Sequence, residues 1–180
     1  MYSEKLKIEW NGEKVAAPNL SGLYWQPFTD WWEKFGLKMN GLLVGEEYPK
    51  GADLKEWFVK RYPEIDEVCI SSLGNSDINW DITYSKRWLP YSPYQFIICQ
   101  AVLEHVKNPI LAVQNMGHLL NRQGMLYIHS HGPDFKEHRH PIDCYRFMRD
   151  GVLALAELSG LETVDILYTS SHWFLLLRKA

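Results

Sequence analysis

Cysteine is scarce. The 180 residues contain 3, and Cys69 and Cys99 fall in apolar, strand-like runs while Cys144 stands apart. No disulfide framework is written into such a chain, and a reducing cytoplasm is the default compartment. No run is long and apolar enough to cross a membrane, and the opening Met-Tyr-Ser-Glu-Lys has no apolar signal core. Positive charge is not in excess: 19 Lys and Arg face 22 Asp and Glu, a net charge of −3. That balance argues against nucleic acid as the main partner, because phosphate binding needs a basic surface. Internal repeats and low-complexity linkers are also missing, so residues 1–180 read as a single domain, long enough for a real core. What the chain has in plenty is aromatic residues: 14%, including 8 Trp, which points to an aromatic-rich core or an aromatic-lined pocket.

Hydrophobic spacing divides the chain. Residues 1–22 read as irregular. Trp25, Phe28, Trp32 and Phe35 recur at three and four, one face of a helix that Gly36 would end. With it, residues 1–40 form an aromatic-rich extension that either packs on the core or covers a ligand. The α/β core, 41–180, starts with a short buried strand, Gly41–Gly45. A helix over Lys50–Tyr62 follows, stopped by Pro63. Glu67–Ser71 and Ile78–Ile82 read as the second and third strands, and 87–94, with Pro90 and Pro93, as loop. Phe96-Ile97-Ile98-Cys99 is apolar and β-branched enough for a strand buried on both faces. A helix from Asn108-Pro109 to near Gly124 has Asn as its cap and Pro at its first position. Met125–His129 is a fifth strand. Asp150 caps a further helix closed by Gly160. Glu162–Thr169 and His172–Arg178 are strands with only two residues between them, so they pair antiparallel. Strands alternating with helices predict an α/β fold: a Rossmann-like, doubly wound, mostly parallel sheet with a C-terminal antiparallel hairpin.

The loop Gln100–Lys107 leaves the carboxyl end of the fourth strand, the edge at which open α/β sheets bind ligands. From Phe96 to Pro109 the chain reads Phe-Ile-Ile-Cys-Gln-Ala-Val-Leu-Glu-His-Val-Lys-Asn-Pro. This resembles the fourth strand and following loop of class I S-adenosylmethionine-dependent methyltransferases, of the type 11 kind. The resemblance spans about residues 40–178, and the terminal hairpin belongs to it. It implies S-adenosylmethionine as cofactor and a small or medium-sized acceptor as substrate.

The same resemblance implies roles for particular residues. Gly45 and Glu46 stand in the turn after the first strand, where backbone approaches the cofactor. That turn, Val44–Gly51, has only Gly45 and Gly51 as glycines. Ser71 ends the second strand, where the family carries an acid for the ribose hydroxyls. No carboxylate stands there, and Glu46, Glu47 or Asp77 is left to substitute. Asp81 would accept from the adenine amino group with Ile82 packing near the ring, and Gln100 and Ala101 would lie where cofactor meets substrate. Leu103 and Val106 read as packing residues, with Glu104 and His105 structural.

Four of the 7 His and one Cys fall within Ser130 and its surroundings, His129 to Cys144. His138-Arg139-His140-Pro141-Ile142-Asp143-Cys144-Tyr145-Arg146-Phe147 resembles the His-x-x-Pro-x-Asp-x-x-Arg-Phe stretch that a subset of these methyltransferases carries. Asp143 and Arg146 would there form an ion pair that shapes the loop. Methyl transfer mainly needs alignment of nucleophile and methyl carbon, and sometimes a base for the acceptor's proton. A histidine titrates near neutral pH, which makes His129 and His131 the candidates, with His138 behind them. Two rival functions stay open. One is a methyltransferase-like subunit that binds without catalysis. The other is a metal-dependent hydrolase built on the cluster His129–Cys144, since imidazole suits zinc or iron.

Overall fold

A computed structural model describes residues 22–36, 40–84 and 94–180, with the backbone alone for 22–26. The elements are α1 (Gly22–Phe35), β1 (Gly41–Val44), α2 (Lys50–Arg61), β2 (Val68–Ser72), β3 (Ile78–Asn79), β4 (Tyr94–Gln100), a 3-10 turn (Leu103–His105), α3 (Pro109–Leu119), β5 (Leu120–His131), α4 (Arg149–Leu158), β6 (Glu162–Tyr168) and β7 (His172–Arg178). The strands of the described residues form one sheet in the order β3-β2-β1-β4-β5-β7-β6. Only β7 runs against its neighbours, paired with β5 on one side and β6 on the other. The expected doubly wound sheet with its closing hairpin is what the chain forms.

The apolar runs are continuous because both faces are covered. On β4, β5 and β7 successive side chains alternate between two cores. Ile97, Leu126 and Leu175 face α3 and α4, while Phe96, Tyr127 and Phe174 face α1 and α2. On that second face the aromatics do the packing. Trp32 stacks on Tyr62 at 4.2 Å between centroids and meets Phe96 edge-on at 5.0 Å and Phe28 at 5.4 Å. Phe96 lies so close over β1 that a Cβ at Gly41 would collide with its ring. Trp31, which the spacing of three and four leaves out, is also buried; its Nε1 donates to Asp165 on β6 at 2.8 Å. So α1 is tied to the sheet through the adjacent Trp31 and Trp32. The side chain of Trp25, and residues 1–21 and 85–93, lie outside the described residues.

Four boundaries differ from expectation. α3 stops at Leu119, because Leu120 turns extended and pairs with Tyr94 rather than continuing toward Gly124. That makes β5 a 12-residue strand. β3 ends at Asn79, since Asp81 holds a turn in which its Oδ1 accepts from Thr83 N and Oγ1. Met148, not Asp150, occupies the N-cap of α4, and no side chain caps it; Asp150 sits in the first turn, where a carboxylate still suits the helix dipole.

The connection from β5 to α4 has no helix or strand and is held by a fork. Arg146 Nη1 and Nη2 donate to Asp143 Oδ1 and Oδ2 at 2.5 and 2.6 Å, and its other N–H groups reach the carbonyls of Phe135 and Lys136. Asp143 also accepts from the His138 N–H at 2.7 Å. The expected ion pair is thus formed, and it fixes where His138 stands. Hydrogen bonds from Arg146, opposed by burial and joined by the His138 amide, hold the Asp143 carboxyl well below the usual carboxylate range.

Two stability outcomes follow from this packing. Trp32→Ala should lower unfolding free energy by about 3–5 kcal/mol, read from the denaturant midpoint. Asp143→Asn should cost about 2 kcal/mol at pH 7, less than a fully buried pair because Arg146 is partly exposed. Because the folded carboxyl is depressed, its contribution is present above the ordinary carboxylate range and fades as pH falls below it. The gap between wild type and Asp143→Asn should therefore narrow in acid; a gap that persists unchanged would show that the pair is not its source.

Candidate active site

The carboxyl ends of β1, β2 and β4 open into a cleft of about 560 Å3, walled on its far side by the loop after β5. Parallel strands end their hydrogen-bonded ladders there, and the chain reverses at Gly45, whose φ is +88° and whose N–H donates to the Ser71 carbonyl at 2.7 Å. Glycine is required: a Cβ would strike the Val102 side chain, and the φ is one L residues rarely adopt. Ala101, just past β4, also has a positive φ, +51°. Such a conformation in a non-glycine residue costs on the order of 1–2 kcal/mol and tends to gather at ligand sites.

Five of the expected cofactor residues line this cleft: Gly45, Ser71, Asp81, Ile82 and Ala101. Glu46 and Gln100 do not. Glu46 is half-buried, and burial, opposed by Lys50, raises its carboxyl above the ordinary value. Gln100 keeps its Oε1 buried, without a hydrogen bond. Ser71 has a buried Oγ that makes no hydrogen bond in the protein. Of the carboxylates weighed as substitutes for the missing acid, Glu47 lines the cleft, and its carboxylate lies against Gly74 in the loop after β2. Asp77 is committed elsewhere, to Lys55 Nζ at 2.8 Å, Tyr48 Oη and the Ile70 N–H.

Of the three histidines singled out in sequence, only His138 reaches the cleft, where His105 and His140 join it. Six imidazoles form a chain of ring contacts from there inward. His105 and His138 meet at 4.8 Å, His138 and His131 at 4.9 Å, and His131 stands 5.4 Å from both His129 and His172. Burial, with His131 and His105 adding, lowers the His138 pKa from its ordinary value. Burial does the same to His129 more strongly, and brings His172 down to about 4.

Beneath the chain lies Glu104, fully buried. Ser130 Oγ donates to its Oε2 at 2.6 Å, and His131 Nδ1 stands 2.5 Å from Oε1, a charge contact without the alignment of a hydrogen bond. Burial raises the Glu104 carboxyl, but His131 and Ser130 outweigh it and the net direction is down. The Glu104 carbonyl also accepts from Cys144 N at 2.7 Å. A structural role expected for Glu104 therefore extends to the whole wall of the cleft.

Sequence reasoning missed His105, His140, Leu73 and Val102 as lining residues, and His172 as part of the imidazole chain. His105 and Val102 sit in the stretch already singled out and were readable there. His172 was not, because it depends on the register of β7. All three cysteines carry free thiols, and none joins the described clusters of metal-capable side chains. Among the described residues no helix is long and apolar enough to cross a membrane.

No curated protein matches the chain. Solved structures share its fold at low identity. An S-adenosylmethionine-dependent methyltransferase from Clostridium acetobutylicum superposes with a TM-score of 0.65 at 8% identity, over 87% of this chain and 91% of its own. The 1,6-didemethyltoxoflavin-N1-methyltransferase of Burkholderia thailandensis, solved with 1,6-didemethyltoxoflavin and S-adenosylhomocysteine, gives 0.63 at 12% identity, over 86% of this chain and 77% of its own. The N-methyltransferase NodS of Bradyrhizobium japonicum, in complex with S-adenosylhomocysteine, gives 0.54 at 16%, over 78% of each chain. A family profile described as "Methyltransferase domain" matches residues 46–152, more than half the sequence. With that match the chain belongs to the methyltransferase domain family, and it shares its fold with the S-adenosylmethionine-dependent methyltransferase above.

Proposed function

We propose that the cleft holds S-adenosylmethionine along the ends of β1 and β2, and that the protein transfers its methyl group to a small or medium-sized acceptor entering from the imidazole side. The observation that carries this is the pairing of an obligatory glycine turn with an unsatisfied buried hydroxyl: Gly45 brings backbone to the cleft, and Ser71 Oγ lacks a partner in the protein. A cleft of about 560 Å3 is within the usual range of ligand sites, roughly 300–1,000 Å3. Bound there, the cofactor supplies a methyl carbon on a sulfonium, open to in-line displacement.

The protein's part is to bind and align. Ser71 and Glu47 are placed for ribose hydroxyls, Glu47 standing in for the acid that β2 lacks. Asp81 has one carboxylate oxygen engaged by Thr83 and the other for an amino group. Ile82 and Val102 offer apolar surface to a flat ring, and Ala101 places its backbone beside it. Glu46 and Gln100 are left to the support of the turn and strand end. Any proton that the acceptor sheds meets His138 first, since His129 and His131 lie behind it. We take residues 1–180 as one domain, with the N-terminal forty residues helping to build the acceptor side.

Calorimetric titration with S-adenosylmethionine and S-adenosylhomocysteine tests this. Binding of either at micromolar strength is expected, weakened about tenfold or more by Asp81→Ala and by Glu47→Gln, as loss of one hydrogen bond to a charged group predicts. Folded protein that binds neither would overturn the catalytic reading and leave a subunit that binds without methylating.

A further inference from the structure

We propose that His129, His131 and His172 form a binding site for a divalent transition metal of the zinc class, behind the cleft and separate from the residues assigned to the cofactor. This does not depend on the methyl-transfer reading. Two rigid strands bring the three rings together. His129 and His131 are two apart on β5 and so share a face, and His172 is the register partner of His131 on antiparallel β7. One ligand atom from each lies within 4.8 Å of the others.

The separations favour this trio. His129 Nε2 and His172 Nδ1 are 3.2 Å apart. Two nitrogens each bound at about 2.0–2.1 Å to a tetrahedral ion stand about 3.3 Å apart. A second grouping, Glu104, His131 and His138, also brings its ligand atoms within 4.8 Å. There the Glu104 Oε1 to His131 Nδ1 distance is 2.5 Å, too short for two ligands of one ion. This close charge contact sets the carboxylate beside Nδ1 as an outer neighbour and leaves the other ring nitrogen of His131 for the metal. Ser130 Oγ, at 2.6 Å on Oε2, keeps that carboxylate in place.

The surroundings are those of a held site rather than a solvated histidine patch. His129 and His131 are buried and His172 is half-buried. Phe174 stacks on His129 at 4.9 Å and Phe135 on His131 at 3.7 Å, so the ring planes of two ligands are fixed before an ion arrives. Three imidazoles fill three of four tetrahedral positions. The fourth is left for water or for an oxygen or nitrogen donor of a bound molecule.

The test uses the full chain, stripped with a chelator and shown by circular dichroism to be folded, then titrated with zinc against a chromophoric competitor and with cobalt by visible absorption. About one equivalent of zinc per chain is expected at micromolar concentration or below, with a tetrahedral cobalt band free of thiolate charge transfer. His172→Gln should weaken zinc binding at least tenfold, and His129→Gln should do the same where it folds. His118→Gln, on an exposed position of α3, should match the wild type. Failure of the folded wild type to take up zinc would overturn the proposal, and so would undiminished binding by His172→Gln. Loss with His138→Gln but not with His172→Gln would place the ion on the second grouping, and a thiolate band would place it on a cysteine; either result also overturns the assignment.

Discussion

A fully buried carboxylate must be compensated or it will not stay charged, and Glu104 is compensated by two side chains of β5. Its side chain takes Ser130 Oγ and His131 from β5, and its carbonyl takes the amide of Cys144 from the loop after β5. These contacts join the end of β4, the end of β5 and the loop that carries His138. The cleft's imidazole wall has no regular secondary structure of its own between β5 and α4, so it owes its position to this carboxylate and to the Asp143–Arg146 fork. The two devices are complementary. Glu104 draws the loop inward from beneath, and Arg146 closes it on itself by gathering the carbonyls of Phe135 and Lys136.

Much of the fold was legible in sequence, because a sheet covered on both faces leaves unbroken apolar runs. Phe96–Cys99 and Met125–His129 are of this kind, and the two-residue gap before His172 forced an antiparallel hairpin. The less legible parts are those set by long-range pairing. Nothing local says that Leu120 will abandon a good helical sequence to pair with Tyr94, 26 residues earlier. The burial of Trp31 is similar: it breaks the spacing of three and four, and its reason is a carboxylate on β6, 134 residues away.

The candidate site divides the same way. The Asp143–Arg146 pair could be anticipated because its partners are three residues apart. Glu104 stands beside His105 in a stretch that drew attention at once, yet its charge is used by Ser130 and His131, some 26 residues on. His172 carried no mark of its own. It joins the other imidazoles only because β7 inserts between β5 and β6 with His131 opposite His172, and the register of a strand pair is fixed by its turn and its buried face together. His129 and His131, by contrast, announced themselves by alternation but stand behind the cleft rather than at it.

The glycine-poor turn after β1 is less of an obstacle than its sequence suggests. Close approach of backbone to a ligand needs a glycine only where φ is positive or where a Cβ would collide, and Gly45 meets both conditions. Gly51 lies inside the first turn of α2, packed toward Ile70, and serves the helix–sheet contact instead. On the proposed reading, the acid that β2 lacks is supplied by position rather than by sequence: Glu47 comes from the β1 turn and crosses to Gly74, where a side chain on that residue would exclude it. A glycine that admits a carboxylate from the neighbouring loop would then do the work of a carboxylate on the strand itself. A pattern sought strand by strand cannot register such an exchange, since its two halves lie 27 residues apart.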